Sequence, residues 1–290
     1  ASGDALGSED PSARLDAVAD TIFLWRDALP SIDSLPDASA VVYSPETSPF
    51  TRGLAREVRR GKELLQAVHH DLSTTLCFCR NELKATNVTL SNVTCIFTGK
   101  TPPQWTTAYN SSTDGCAAWI SEFAAKIKSL SRYISIIQNG AVCNAAKYWL
   151  GGLFQPEAFI TATRQSVAES KGWSIEDLEM HVCIGKASVA RDGGEFLVEG
   201  LLIEGATAVG SAIDVAPQLR SSLPVSVLAW LPRQEVPADT IAVPMYTTDK
   251  RDHLAARVYV TVPSSMPRHV WAQRGVALLV SSPGYRPETL

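Results

Sequence analysis

The chain lacks any apolar run long enough to cross a membrane; its longest, such as Val276–Val280, has the length of a strand. It lacks a basic start followed by an apolar stretch, since Ala1–Pro11 is small, polar and acidic, so no signal peptide is read there. An initiator Met is missing too, which gives the expectation that Ala1 begins a processed chain or a piece cut from a far larger one. Basic charge is in short supply: 26 Lys and Arg stand against 30 Asp and Glu, a formal net charge of -4. Phosphate recognition needs a basic face, so neither nucleic acid nor a membrane is an expected partner. The six cysteines show no Cys-x-x-Cys spacing, which removes the usual zinc and thioredoxin-like readings and leaves mostly buried free thiols in a reducing compartment. Three Asn-x-Ser/Thr triplets, at Asn87, Asn92 and Asn110, are taken as chance.

The familiar catalytic and cofactor motifs are also absent. Gly61-Lys62-Glu63 and Gly99-Lys100-Thr101 resemble the end of a phosphate-binding loop, but Arg56 and Thr94 stand where its first Gly is needed. There is no Gly-x-Gly-x-x-Gly after a strand, no Gly-x-Ser-x-Gly and no His-Glu-x-x-His. No cofactor, metal or catalytic residue is therefore assigned.

What is present is 290 residues, 45% of them hydrophobic, enough to bury a sizeable core and about two domains by length. The first half reads as helices. Asp10-Pro11 opens one whose stripe is Leu15, Val18, Ile22, Trp25 and Leu29. Residues 31–47 read as a linker. Ser48-Pro49 caps the longest helix, to about Asn81, with Leu54, Val58, Leu65, Val68, Leu72 and Leu76 on its apolar face and Arg56, Arg59, Arg60, Lys62 and Glu63 outside. A short helix is expected around Leu90–Phe97. Thr113 or Asp114 starts another, with the stripe Trp119, Phe123, Ile127, Leu130, Ile134 and Ile137; Glu122, Lys126 and Lys128 fall on or near its wet side, and Asn139-Gly140 ends it. After the apolar turn Trp149–Phe154, Pro156 opens a helix closed by Gly172. Its small residues Ala158, Thr161, Ala162, Ser166 and Ala168 are expected inside, and Ser174–Asp177 repeats the capping pattern.

From Glu179 the period changes to that of strands, predicted at 179–185, 195–203, 226–231, 240–247, 256–262 and 276–281. Arg191-Asp192-Gly193-Gly194 reads as a hairpin connection, and Pro267–Arg274 as one or two helical turns. Helices followed by strands argue an α+β fold, with six mostly antiparallel strands forming a small barrel or a strongly twisted sheet.

Few side chains suggest chemistry. His181 and Cys183, two apart on a strand, share a face and are the one Cys/His pairing; as a dyad they lack an orienting third group. His69 and His70 point about 100° apart on the long helix. His253 and His269 lie in or near loops, with only Asp252 as a neighbouring carboxylate. Glu176, Asp177 and Glu179 form an acidic cluster without the spacing of a calcium loop. The basic run Arg56–Lys62 has no interleaved aromatics and reads as a wet helix face or a protein contact.

The segment from Trp149 to Gln165, a Gly-rich apolar turn followed by Pro, Glu, Ala-aromatic and a Thr-rich helix start, resembles the signature of the C-terminal domain of dynein heavy chains. Leu54–Leu65 looks like that family's long helix, Gly200–Ala206 like a barrel strand ending in a Gly-Ala turn, and Arg274–Leu279 like the last strand. The stretches from Ile160 to Gln165 and Trp173 to Leu178 look more like the cytoplasmic, transport type. The resemblance runs over roughly residues 12–281 and is poor near Asn87–Thr94 and beyond Ser281.

The resemblance implies a non-catalytic end piece of an ATP-hydrolysing, minus-end-directed microtubule motor: a helical part plus a six-stranded, mostly antiparallel β-barrel that lies on an AAA+ ring and modulates processivity and force. It implies four parts: residues 1–47 as connecting helix and linker from the last AAA+ module, 48–178 as the helical part, 179–283 as the barrel and 284–290 as a flexible tail. The implied partners are the ring of the same heavy chain and, for a dimeric parent, accessory chains and microtubules, in the cytoplasm and on the cytoskeleton. The apolar stripes of the first two helices are expected to stay partly uncovered for the ring. Two other readings stand beside this one: an enzyme with a site at His181 and Cys183, and a free-standing adaptor.

Overall fold

The computed structural model describes residues 10–109, 111, 113–139, 146–186, 188, 194–263 and 266–280. Its helices are α1 (Pro11–Ala28), α2 (Ser39–Tyr43), α3 (Pro49–Cys79), α4 (Asn87–Phe97), α5 (Pro103–Thr106), α6 (Cys116–Ser131), α7 (Ile134–Asn139), α8 (Pro156–Lys171) and α9 (Arg268–Gln273). The capping signals act as the sequence suggests. Asp10 accepts from Ser12 N at 3.1 Å, and Ser48 Oγ accepts from Thr51 N at 3.2 Å, each with Pro at the next position. Gly172, at φ 67°, closes α8.

α3 is the axis of the helical part. Its six stripe residues are all buried within this molecule, so the expectation of a partly uncovered stripe fails for this helix. The reason lies in the supposed linker, which carries α2 and seats Leu35, Ala38 and Val42 in the core. On α1 the stripe is covered at Val18 and Ile22, while Phe23 (53% exposed) and Leu24 (72% exposed) face outward.

Three other expectations need correction. The helix expected from Thr113 or Asp114 to Asn139 begins at Cys116, after Gly115 at φ 88°, and breaks between α6 and α7. At that break Tyr133 turns inward, and its hydroxyl accepts from Trp149 N at 3.0 Å. In α8 the small residues are not all inside: Ala158 and Thr161 are exposed, and Phe159, Ile160, Ala162, Thr163 and Val167 form the buried face. The close approach to α3 rests on one pair, because a Cβ added at Gly53 would lie 2.8 Å from the Ala162 Cβ. Ser174 makes no side-chain cap; Ile175–Asp177 is a single 3-10 turn.

The strands are β1 (Lys147–Trp149), β2 (Leu178–Cys183), β3 (Glu195–Glu199), β4 (Leu202–Glu204), β5 (Thr207–Val209), β6 (Ala212–Asp214), β7 (Arg220–Ser222), β8 (Ser226–Pro232), β9 (Thr240–Tyr246), β10 (Leu254–Thr261) and β11 (Ala277–Leu279). The fold is α+β, but the closed six-stranded barrel is not formed. Nine strands make one curled mixed sheet in the order β1-β3-β8-β2-β10-β9-β11-β4-β7, and β5 pairs with β6 apart from it. β1 with β3, β2 with β10 and β9 with β11 run parallel. Two causes separate expectation from outcome. The strand expected over 195–203 divides at Gly200 into β3 and β4, which sit far apart in the sheet order. Four of the six three-residue strands, β1, β5, β6 and β7, were not expected, because they are too short to show a period. Of the expected Arg191–Gly194 hairpin, residues 191–193 lie outside the described residues, as do Cys143 and the 284–290 tail.

The Gly-Ala turn after β4 has a clear steric cause. Gly205 has φ 75°, and a Cβ there would stand 2.7 Å from the Arg274 carbonyl oxygen. Gly205→Ala is expected to lower the unfolding free energy in urea by about 2–3 kcal/mol, combining left-handed strain with a backbone clash. An unchanged midpoint would contradict this account of the turn.

Candidate functional site

His181 and Cys183 do meet. On β2, Cys183 Sγ lies 3.4 Å from His181 Nδ1, and His181 Nε2 lies 3.4 Å from Thr261 Oγ1 on β10. Their environment works against a reactive pair. Burial pushes the Cys183 thiol above its usual range, with Lys186 pulling the other way, and burial pushes the imidazole below its own. The favoured state is a thiol beside a neutral imidazole, whereas nucleophilic catalysis needs a thiolate.

The remaining candidates are scattered. His69 lies 3.0 Å from the Pro30 carbonyl oxygen, and His70 is exposed. His253 is exposed just before β10, and His269 is exposed on α9, the short helix expected over Pro267–Arg274. Glu176 and Asp177 face solvent, while Glu179 pairs with Arg233 at 3.3 Å. Among the described residues no group of three or more His, Cys, Asp or Glu is arranged to hold a metal ion. Asn92, in one of the sequons, is buried; its amide donates to Thr75 Oγ1 at 3.1 Å and accepts from Gln104 at 2.8 Å, which makes it a core residue.

The concentrated chemistry is at two residues expected on or near the wet side, Glu122 and Lys126, and at Glu57, which the sequence left unassigned. Glu57 of α3 (3% exposed) and Glu122 and Lys126 of α6 (4% and 3%) are buried under the apolar turn 149–155. Glu57 Oε2 accepts from Phe154 N at 2.6 Å, and Oε1 accepts from Gln155 N at 3.0 Å. Lys126 Nζ donates to the carbonyls of Gly151 and, at 3.1 Å, Leu153, and lies 3.7 Å from Glu122 Oε1. It also sits 5.1 Å from the centroid of the Tyr109 ring. The turn's amides are thus held by a carboxylate and its carbonyls by an ammonium, so unmatched backbone groups are satisfied without water.

Charge burial has a cost, and it shows at Glu57. Desolvation raises its carboxyl to about 7, against the opposing pull of the two amides and the Lys126 charge. Next to the clamp a cavity of about 260 Å³ opens between Tyr109, Lys126 and Phe154 on one side and His253, Leu254 and Val280 on the other. The turn is therefore the joint between the helices and the sheet. Gly152 fits it because a Cβ there would lie 2.5 Å from the Trp149 ring.

A second charged knot ties the far end of the sheet. Buried Glu204 of β4 receives Arg220 Nε at 2.5 Å and Arg251 Nε at 2.8 Å, and Arg220 Nη1 reaches Asp249 at 3.1 Å. Each of these sites lies in or beside a stretch that carried the resemblance: Glu57 in Leu54–Leu65, the clamped turn in Trp149–Gln165, and Glu204 and Gly205 in Gly200–Ala206.

Comparison with known proteins agrees with those stretches. The family model for the C-terminal domain of the dynein heavy chain matches residues 2–280. The cytoplasmic dynein heavy chain of Drosophila melanogaster is 32% identical over 241 residues, covering 81% of the present sequence and 5% of that protein. The cytoplasmic heavy chain of Dictyostelium discoideum is 30% identical over 235 residues, 79% of the present sequence and 5% of its own length. Dynein axonemal heavy chain 11 of Sus scrofa is 25% identical over 267 residues, 87% of the present sequence and 6% of its own. The protein thus spans only a small fraction of the length of these relatives. It belongs to the family formed by the C-terminal domains of dynein heavy chains.

Proposed function

We propose that this protein serves as the non-catalytic C-terminal module of a cytoplasmic, transport-type dynein heavy chain, packing on its AAA+ ring and modulating processivity and force of a minus-end-directed microtubule motor. The observation that carries the reading is the family match over residues 2–280, with higher identity to the Drosophila and Dictyostelium cytoplasmic chains than to the axonemal one. The chemistry supports it. The buried ionisable groups are engaged with backbone amides and carbonyls and with each other, which is structural work, and the Cys183–His181 pair is held away from its reactive form. The outward Phe23 and Leu24 on α1 offer apolar surface for a neighbour.

On this reading residues 1–47 connect to the last AAA+ module, 48–178 are the helical part, 179–283 the strand part and 284–290 a tail. The partners are then the ring of the same heavy chain and, through a dimeric parent, accessory chains and microtubules in the cytoplasm.

Two measurements test the reading. Removal of this module from the parent heavy chain is expected to change single-molecule run length or stall force at least twofold; identical values would contradict the modulating role. The isolated protein with Mg-ATP is expected to show no turnover, and turnover abolished by Cys183→Ala would contradict the non-catalytic reading.

A further inference from the structure

α1 buries one side and shows another whose composition its own fold does not explain. It packs on α3 and α4 and buries Val18 and Ile22. At about 100° per residue, Asp16, Asp20, Phe23 and Asp27 fall within about 60° of one another, with Leu24 beside them and the buried pair opposite. All five are exposed. The outward face thus reads acid, acid, aromatic, aliphatic, acid along about 16 Å of helix.

Helix chemistry does not account for the acids. Asp16 and Asp20 stand four apart, a like-charge spacing that weakens a helix. Asp27 lies in the last turn, where the helix dipole favours a cation. Among the described residues none of the three pairs with a Lys or Arg. The arginines of the same helix lie off the stripe. Arg14 Nη2 donates to Thr94 Oγ1 at 3.1 Å, and its guanidinium sits 4.8 Å from the centroid of the Phe97 ring on α4. Arg26 falls about a quarter turn from the stripe.

The second observation is apolar. Phe23 and Leu24 are large hydrophobic side chains left in solvent in the middle of the acidic stripe. The Arg80 guanidinium, 5.0 Å from the Phe23 ring centroid, covers one face of that ring and leaves the rest open. The helix itself is held in place by Val18 and Ile22 in the core and by the Arg14 bond to α4, so a partner need not order it.

We propose that this face of α1 is a docking surface for a basic amphipathic helix of a partner protein, one that carries Lys or Arg beside apolar side chains. Charge complementarity selects the occupant. Three uncompensated carboxylates around two apolar anchors repel an acidic partner and an anionic lipid surface alike, and they match cations spaced around an apolar stripe. A helix suits the shape, because the face is straight and about three turns long. The area is small, so the contact belongs to the weak, transient class. The inference rests on α1 alone and is independent of the reading of the protein as a motor module.

Fluorescence anisotropy of a labelled synthetic helix titrated with the 290-residue protein tests this. The probe carries Leu at i, i+3, i+4 and i+7 and Lys elsewhere; one comparison peptide has Glu for every Lys, the other Ser for every Leu. A saturable rise is expected with the Leu–Lys helix, and midpoints at least tenfold weaker with both comparison peptides. Asp16→Asn with Asp20→Asn is expected to weaken the midpoint at least fivefold, and Leu24→Gln at least threefold. Glu176→Gln with Asp177→Asn removes the same charge from another exposed site and is expected to leave the midpoint within twofold. Unchanged far-UV circular dichroism reports that each variant is folded. No saturable rise, an equal midpoint with either comparison peptide, or equal midpoints in wild type and the Asp16→Asn, Asp20→Asn variant overturns the proposal. Sedimentation of the protein alone checks the competing occupant. A monomer is expected, and self-association abolished by Leu24→Gln would give the face to a second copy and overturn the proposal as well.

Discussion

Glu57→Ala is expected to lower the unfolding free energy at pH 5 by about 3–5 kcal/mol. The substitution removes the acceptor of two buried amides, Phe154 N and Gln155 N, and leaves a void beside α3. The size of the effect depends on pH in a stated direction. The Glu57 carboxyl is raised from its usual 4.5 to about 7, so between those values the native state holds a proton that the unfolded state has released. Its contribution is fully present below pH 4.5 and is lost as pH rises through 7, a change of about 3 kcal/mol. The gap between wild type and Glu57→Ala in urea denaturation is therefore expected to narrow from pH 5 to pH 8. His181, whose pKa is lowered by burial, acts with the opposite sign, but it is common to both proteins and cancels in the difference. A gap that widens with pH, or one below about 0.5 kcal/mol at pH 5, would contradict this account.

Lys126→Met is expected to cost about 3–5 kcal/mol, through a different mechanism. Met keeps the apolar stem but removes the ammonium, so Glu122 is left buried without its cation and the carbonyls of Gly151 and Leu153 lose their donor. The neighbouring rings of Tyr109 and Phe154 tolerate a thioether, so packing alone predicts a small loss. The double change Lys126→Met with Glu122→Gln is expected to recover part of the stability, because the orphaned charge is gone. Urea midpoints of the two singles and the double give the answer. A loss under about 1 kcal/mol for Lys126→Met would show the pair to be dispensable.

The sequence shows the helical part well and the sheet poorly, for identifiable reasons. α1 and α3 carry N-cap residues and long stripes, and α8 opens on Pro156 at its first turn, so their starts follow from local chemistry alone. The curled sheet depends on pairings between strands far apart in sequence, such as β9 with β11 and β2 with β10, which no local period encodes. The open sheet and its three-residue strands were hidden for that reason, and Gly200 concealed a strand break inside an apolar run.

The clamp left a signal that a rule of thumb overrode. Glu57 stands three residues after Leu54 and four before Gly61, within the apolar stripe of α3. Glu122 and Lys126 are four apart on the stripe of Trp119, Phe123 and Leu130. Charged residues in that register read as wet by residue type and as buried by position, and position prevailed. The nearby Gly-Gly turn, with backbone groups in need of partners, was the clue that would have decided between them. His181 and Cys183 show the reverse: two reactive residue types on one face, with burial holding both in their less reactive forms.

The central claim is that the buried charges of this protein hold one turn, and through it join the helices to the sheet. Native-state hydrogen exchange of the Phe154 and Gln155 amides measures this most directly. In the wild type both amides are expected to exchange only with global unfolding, and in Glu57→Gln at least a hundredfold faster while the amides of β9 and β10 stay protected. Fast exchange of both amides in the wild type, or equal protection in the variant, would contradict the claim.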